Sequence, residues 1–490
     1  MLKESEILHF ISEDRTSTKK QLAKVGQKYY EAEHDILQYR MFYYNSEGKL
    51  VEDKTRSNMK IPHPFFTELV DQTVQYMLSG KDETGELKLI KSDNTVLQKR
   101  LDEYFDDDFI SELSEVLTGA ISKGADCMYT YTNAKGRLSF QYADYLGVVE
   151  VKGKDTDDGC DYVIYWYVDR ISKEDKLIKK IQVWDAKETY FYIQDGEGKL
   201  LKDESEKVNP RPHVIYTKDD GATYYENYGF IPFFRLDNNK KQISGLKPIK
   251  PLIDDYDLMS CGLSNNLADF DHPLHVVKGF KGDNLDELQT NLKTKKMIGV
   301  GNEGGVEVHT VDIPYQARLT KMTEDEKNIY KFGMGFNSSQ LGDGNITNVV
   351  IKSRYALLDL KCNKLEIRLK QFLKKILKVV LDEINRNDGT NYQMDDVYFN
   401  FKREIMTNAS DNAVIEKTDA EKQQIQINTL LSLANVFDDE TIIQSICDIL
   451  DLDYEKIKSK LPKKDDDLTE QEDILEDVVP EDDLEGDVIE

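Results

Sequence analysis

Hydrophobic residues make up 39% and charged residues 32% of the 490-residue chain, which suits a soluble protein of two to four domains rather than a single core. A net charge of −27 argues against a conventional nucleic-acid binder, because such proteins displace counterions with basic patches. Apolar runs such as Leu430–Val436 stop far short of the roughly 20 residues that span a bilayer. Met1–Ser12 lacks the basic start, apolar stretch and cleavage site of a secretory signal, so residence in the cytoplasm without membrane contact is expected. Cys127, Cys160, Cys261, Cys362 and Cys447 are odd in number and form no C-x-x-C pair, so they read as buried thiols rather than a disulfide framework or a zinc finger. The charge is uneven: Asp465–Glu490 carries fourteen carboxylates and no base, which leaves −13 for the rest. So charged a segment cannot bury enough apolar surface to offset chain entropy, and residues 463–490 read as a disordered acidic tail.

In chain order, Met1–Met41 reads as mostly helix, with good helix formers over Lys19–Val25 and Tyr29–Arg40. Tyr43–Asp53 resembles an exposed hairpin turning at Ser46, Glu47 and Gly48. After Pro62 and Pro64, the stripe Phe66, Leu69, Val70, Thr73, Val74 and Met77 predicts a helix that stops before Gly80. Asn94–Lys123 forms a second helical zone, ended by Gly124. The period then changes to two: Cys127–Thr132, Arg137–Tyr145, Tyr162–Arg170, Lys180–Asp185 and Glu188–Gln194 predict a small antiparallel sheet. Helix returns from Pro248 to about Asp271, where Pro273 ends it. A compact piece follows, with a short helix at Asp286–Leu292 and β-like runs at Met297–Val300 and Val306–Val311. Helix resumes over Thr323–Gly333, and Gly333, Gly335, Gly342 and Gly344 mark a loop. Val349–Asn385 is the longest predicted helix, about 55 Å at 1.5 Å per residue. Asp419–Val436 and Asp439–Leu450 form a last helical pair. The class is α+β, mainly α.

Chemical motifs mostly fail on context. Gly299, Gly301 and Gly304 match G-x-G-x-x-G, but Val306–Val311 alternates like a strand where a dinucleotide site needs a helix, so a β-hairpin turn is expected. Ser57-x-x-Lys60 and Ser92-Asp93-Asn94 echo two motifs of penicillin-recognising enzymes, whose third, Lys-Thr-Gly, is absent. His272 and His275, beside Asp269 and Asp271, are separated by Pro273, which breaks the alignment a metal pair needs. The acidic runs Asp106–Asp108 and Asp254–Asp257 read as solvated helix faces. No catalytic, metal or cofactor site emerges.

One segment reverses the prevailing charge. Between Lys352 and Lys378 lie nine bases (Lys352, Arg354, Lys361, Lys364, Arg368, Lys370, Lys374, Lys375, Lys378) against two acids, Asp359 and Glu366. Leu358, Cys362, Leu365, Leu369, Phe372, Ile376, Val380 and Ile384 form the packing stripe of that helix. The bases either sit on a solvated face with i,i+4 acidic neighbours, or meet phosphates or an acidic surface of an adjacent subunit.

Here the sequence resembles a family, the portal proteins of siphophage type from phages of Gram-positive bacteria. Asn58–Gly80, an Asn leading into a helix that ends at Tyr76-x-x-x-Gly80, looks like the family's N-terminal signature. Gly124–Tyr131 and the strands after it resemble the wing sheet, and Pro251–Asp257 through Asn265, Asp269 and Val277–Gly279 the first stem helix. Gly304–Val308 resembles the strand closing the clip. Gly342–Tyr355 running into Leu358–Phe372 is similar to the tunnel loop and the long helix behind it, although Asn345–Val350 departs from the usual Ser-Gly-small pattern. Asp439–Leu450 with Tyr454 and Glu455 looks like crown helices.

The resemblance implies a portal fold: wing (1–245), stem helix (246–279), α/β clip (280–314), second stem helix (315–336), tunnel loop (337–349), long helix and return to the wing (350–410), helical crown (411–462) and acidic tail. It implies a homo-oligomeric ring, usually of twelve, at a capsid vertex of the virion, assembled in the host cytoplasm and passing double-stranded DNA without reading its sequence. Implied partners are the terminase large subunit, a head-completion or adaptor protein, and capsid and scaffolding proteins. DNA would face Gln340, Leu341, Gly342, Asp343, Gly344, Asn345, Ile346, Thr347, Asn348 and Lys352. Terminase would meet Asp286, Gln289, Lys293, Lys295, Lys296, Asn302 and Glu303, and a neighbouring subunit Lys361, Lys364, Arg368 and Lys375. The rival readings are a phage metal-dependent nucleic-acid-processing enzyme, for which no carboxylate cluster is evident, and a monomeric scaffold or adaptor.

Overall fold

The computed structural model describes residues 2–457 except 82–84, 134–135, 153–158, 172–176, 218–221, 271–273, 281–283, 285, 287, 289–298, 310–313, 338–347, 405–408, 434–436, 451, 453 and 455–456. It divides into two units, Met1–Met406 and Thr407–Glu490. In the first, α1 (Glu4–Thr16) and α2 (Thr18–Tyr30) are separated by Ser17, whose side chain caps α2 by accepting from the Lys20 amide. The expected helix over Tyr29–Arg40 does not form. The chain leaves α2 at Tyr30, Ala32 turns left-handed at φ +59°, and only a 3₁₀ turn, Asp35–Gln38, follows. His34, beyond the Ala32 turn, is buried. The expected hairpin is present as β1 (Phe42–Tyr44) paired with β2 (Leu50–Glu52).

Helix α3 (Phe65–Met77) buries Phe66, Leu69, Val70, Thr73, Val74 and Met77. The zone after β3 (Ile90–Lys91) is two helices rather than one, α4 (Thr95–Tyr104) and α5 (Asp107–Lys123). The side chains of Asn94 and Asp106 each accept from amides of the first turn, so Ser92-Asp93-Asn94 and Asp106–Asp108 are helix starts. One sheet has order β14–β4–β5, with β4 Ala125–Thr132, β5 Leu138–Ala143 and β14 Phe233–Asp237. A second has order β10–β9–β8–β7–β6, with β6 Val148–Val151, β7 Tyr162–Ile171, β8 Leu177–Trp184, β9 Glu188–Gln194 and β10 Leu200–Lys202. The short β11 (Arg211–Pro212) also pairs with β9, and β12 (Val214–Thr217) pairs with β13 (Thr223–Glu226).

Alternation divides the second sheet between two cores. Val148, Val163 and Trp184 meet Tyr129, Cys127 and Ala143 of the first sheet, while Val149, Ile164, Ile181 and Val183 pack beneath Ile7 of α1. Buried charges tie these layers. Lys123 reaches Asp126 at 2.7 Å and Asp144 at 2.6 Å, and Lys20 donates to the carbonyls of Tyr145 and Val148. Gly119 sits where a Cβ would lie 1.5 Å from Asp126 Oδ2, so only glycine lets α5 pass this carboxylate.

Helix α6 (Lys250–Phe270) starts with Pro251 in its first turn, where a missing N–H costs nothing. Strand β15 (Leu274–Phe280) pairs antiparallel with β16 (Val300–His309). The glycine motif is therefore not a hairpin turn. Val300 pairs with Phe280 and Gly305 with Lys278, so residues 301–304 bulge opposite Gly279, which accommodates them at φ +66°. Helix α7 (Tyr315–Gly333) leads towards α8 (Asn348–Asp388), 41 residues and about 60 Å long. All eight residues of the expected α8 stripe are buried, and β17 (Tyr398–Phe399) then pairs with β3. In the second unit α9 (Ala409–Ser432) begins ten residues before the expected Asp419, and α10 (Asp439–Ile449) buries Ile442 and Cys447.

Candidate functional site

The described chain flanking residues 338–347 is tightly held. Helix α7 ends with Met334 at φ +55° and the Gly335 amide donating to Tyr330 O. Gln72 of α3 makes two hydrogen bonds with the Phe336 backbone, donating to its carbonyl at 2.7 Å and accepting from its amide at 3.0 Å. Asn337 donates to Glu326 at 3.0 Å. The Phe336 ring stacks on Tyr355 of α8, with centroids 4.9 Å apart, and Tyr355 leans on Tyr76. The chain entering the ten-residue segment is thus fixed to α3, and α8 beyond it is first held there at Tyr355. Gln340, Leu341, Gly342, Asp343, Gly344, Asn345, Ile346 and Thr347 lie outside the described residues. Asn348 opens α8, and Lys352 is exposed on its first turns.

Among the described residues, the bases between Lys352 and Lys378 are not neutralised along the helix as i,i+4 pairs. The two acids of that stretch turn to Arg403 instead, which reaches Asp359 at 2.7 Å and also pairs with Glu366. Lys364, Arg368, Lys374 and Lys375 pair with no carboxylate among the described residues, and Lys364 and Lys375 are exposed. Lys361 differs from them. Its Nζ donates to Gly333 O at 3.2 Å, and burial brings its pKa down to about 8, so it ties α8 to the end of α7. Lys370 and Lys378 lie over the rings of Phe399 and Phe230 at 5.8 and 5.6 Å. On the β15–β16 side, Asp286, Asn302 and Glu303 are exposed, the last two within the bulge. Gln289, Lys293, Lys295 and Lys296 fall outside the described residues, as does His272.

A buried cluster was not legible in the sequence. Asp257, read there as solvated, is wholly buried and accepts from His34 Nδ1 at 2.6 Å, His63 Nδ1 at 2.8 Å and the His63 amide at 2.9 Å. Burial alone would raise its pKa, but these hydrogen bonds outweigh it and hold the carboxyl below its ordinary value. His34 stacks on Tyr29, whose hydroxyl meets Asp254, itself paired with Lys250 at 2.8 Å. Ser260 Oγ lies 3.4 Å from His63 Nε2, which completes the atoms of a Ser–His–Asp relay. The serine sits mid-helix in α6, however, where backbone amides are consumed by i−4 bonds and so offer no donor pair to an oxyanion. The cluster therefore works as a lock between the 31–64 segment and α6. A proline on each side of His63 was the one local hint; nothing local pairs His34 with a residue 223 positions away.

Among the described residues no three His, Cys, Asp or Glu gather as a metal site, and no helix is long and apolar enough to cross a membrane. The sequence profile of one family, described as phage portal protein, SPP1 Gp6-like, matches residues 8–466, and the chain belongs to that family. The portal protein of Bacillus phage SPP1 is 28% identical over 351 residues, covering 71% of this chain and 67% of that one. The portal protein of Clostridium phage phiCD119 is 23% identical over 405 residues, covering 78% and 85%. The chain is a portal subunit, serving DNA packaging at a capsid vertex, and the enzyme and adaptor readings are not favoured.

Proposed function

We propose that copies of this chain close head to tail into a ring, twelve in number, whose axial channel passes double-stranded DNA into and out of the capsid. The observation that supports this reading is the hold on the chain where it enters residues 338–347: Gln72 brackets the Phe336 backbone, and the Phe336 ring stacks on Tyr355 of α8. In the assembled ring Gln340–Asn348, with Lys352, lines the narrowest part of the channel. Even without the acidic tail the chain carries −13, so a channel that shares this balance repels phosphate and DNA slides with weak, repeated contacts.

The partition of the chain follows the same reading, with wing, stem (α6 and α7), clip (β15, β16 and the residues between), long helix and crown. Asp286, Gln289, Lys293, Lys295, Lys296, Asn302 and Glu303 face the terminase large subunit. A ring needs heterologous contacts, one surface meeting a different one. Lys364, Arg368 and Lys375, which meet no carboxylate among the described residues, suit an acidic neighbour, while Lys361 supports the contact from within. Head-completion, scaffolding and capsid proteins complete the partners, and the ring resides in the virion after assembly in the host cytoplasm. Negative-stain images of concentrated protein are expected to contain rings with a central hole; a monomer of 56.6 kDa at every concentration would overturn the ring. Deleting residues 342–348 is expected to leave rings intact and to abolish nuclease-protected DNA in a packaging reaction. Undiminished packaging would refute the channel assignment.

A further inference from the structure

The β1–β2 hairpin carries large apolar side chains on both faces and packs neither. Phe42, Tyr44 and Leu50, 53%, 74% and 58% exposed, share one face, and Tyr43 and Val51 occupy the other. An isolated two-stranded hairpin is marginal in water, and a contiguous bare apolar patch marks a contact surface. Its base, in contrast, is firmly attached. The amides of Ser57 and Met59 donate to Asp269 and Asn265 of α6, at 3.0 and 2.7 Å, and Lys60 donates to Leu37 O. The hairpin is thus an arm with a fixed root and an uncovered tip.

A second uncovered surface lies on α8, opposite its buried stripe. Leu357, Leu360 and Ile367, 42%, 48% and 65% exposed, form a ridge at helical spacing, with the unpaired Lys364 between them and Arg368 beside it. We infer that the arm of one subunit docks on this ridge of the next copy of the same chain, its aromatic rings covering the leucines and lying against the bases. The chemistry matches on both sides: apolar area meets apolar area, and tyrosine and phenylalanine faces meet Lys and Arg, which aromatic quadrupoles attract. The face carrying Phe42, Tyr44 and Leu50 offers about 350 Å², a nucleus for the roughly 800 Å² that one partner brings to a stable interface. Arm and ridge are different surfaces, as a closing ring requires. The inference rests on the ring reading above.

The test places p-benzoylphenylalanine at Tyr44 in the full-length chain and irradiates assembled protein. A ladder of covalent dimers and higher species is expected, with crosslinked peptides joining residues 41–54 to residues 353–370. Crosslinks to any other surface, or crosslinking only after capsid or head-completion protein is added, would overturn the inference. In parallel, the F42A/Y44A/L50A variant is expected to lose rings more than tenfold while its circular dichroism and thermal unfolding match the parent, since the arm packs on no core. Rings at parental yield would sink the arm but spare the ring. A parent chain that forms no ring at all would sink both.

Discussion

His213, between β11 and β12, is the most informative place to perturb the sheet region. It is 4% exposed, lies between the rings of Trp184 and Tyr228, and neither ring nitrogen has a hydrogen-bond partner among the described residues. Burial therefore brings its pKa down to about 4. The unfolded chain binds a proton at this residue near pH 6.5, whereas the folded chain refuses it until about pH 4, so stability falls as pH drops between those values. Between pH 7.5 and 4.5 the loss from this one group is about 2 to 3 kcal/mol. His213→Phe keeps the aromatic stack and removes the titration. Both tryptophans, Trp166 and Trp184, lie in adjacent strands of the affected sheet, so tryptophan fluorescence in urea reads its transition directly. From pH 7.5 to 4.5 the parent midpoint is expected to fall about 1 M further than that of His213→Phe, for a slope of about 3 kcal/mol per M. Carboxylate titration is common to both proteins and cancels. Equal pH dependence in the two would refute the reasoning.

Asp257→Asn leaves His34 and His63 without their anionic acceptor and is expected to cost about 3 to 5 kcal/mol by urea unfolding at pH 7. Because its folded pKa is lowered, the stability Asp257 supplies is present above the unfolded carboxylate value and is lost as pH falls through the folded one. Leu369→Ala, in the buried stripe of α8, is expected to cost about 2 to 5 kcal/mol, against less than about 0.5 kcal/mol for the exposed Lys364→Ala. Gly119→Ala drives a methyl group into the Asp126 carboxylate and is expected to prevent accumulation of soluble protein, scored by expression beside the parent.

Legibility in the sequence followed the range of the interaction. The α8 stripe, the α3 stripe and the β1–β2 hairpin were read correctly because helical and strand periodicity are local properties of a dozen residues. The break between α4 and α5 was missed because the apolar spacing runs through Phe105 unbroken, while the signal that ends the first helix is the single cap Asp106. The second sheet was underread because its outer strands, β6, β10 and β11, are two to four residues long and too short to alternate visibly. The glycine motif misled for a related reason: composition reports a departure from a regular strand, but only the partner β15 decides between a turn and a bulge. The Asp257 cluster joins three distant segments, and no window of sequence contains it.

Helix α8 is anchored unevenly along its length. From Tyr355 onward it is packed into the core, whereas the seven residues Asn348–Arg354 precede the first aromatic anchor. Those two turns span about 10 Å as helix but about 23 Å when extended. Helix and extended chain over these residues therefore differ in reach by about 12 Å.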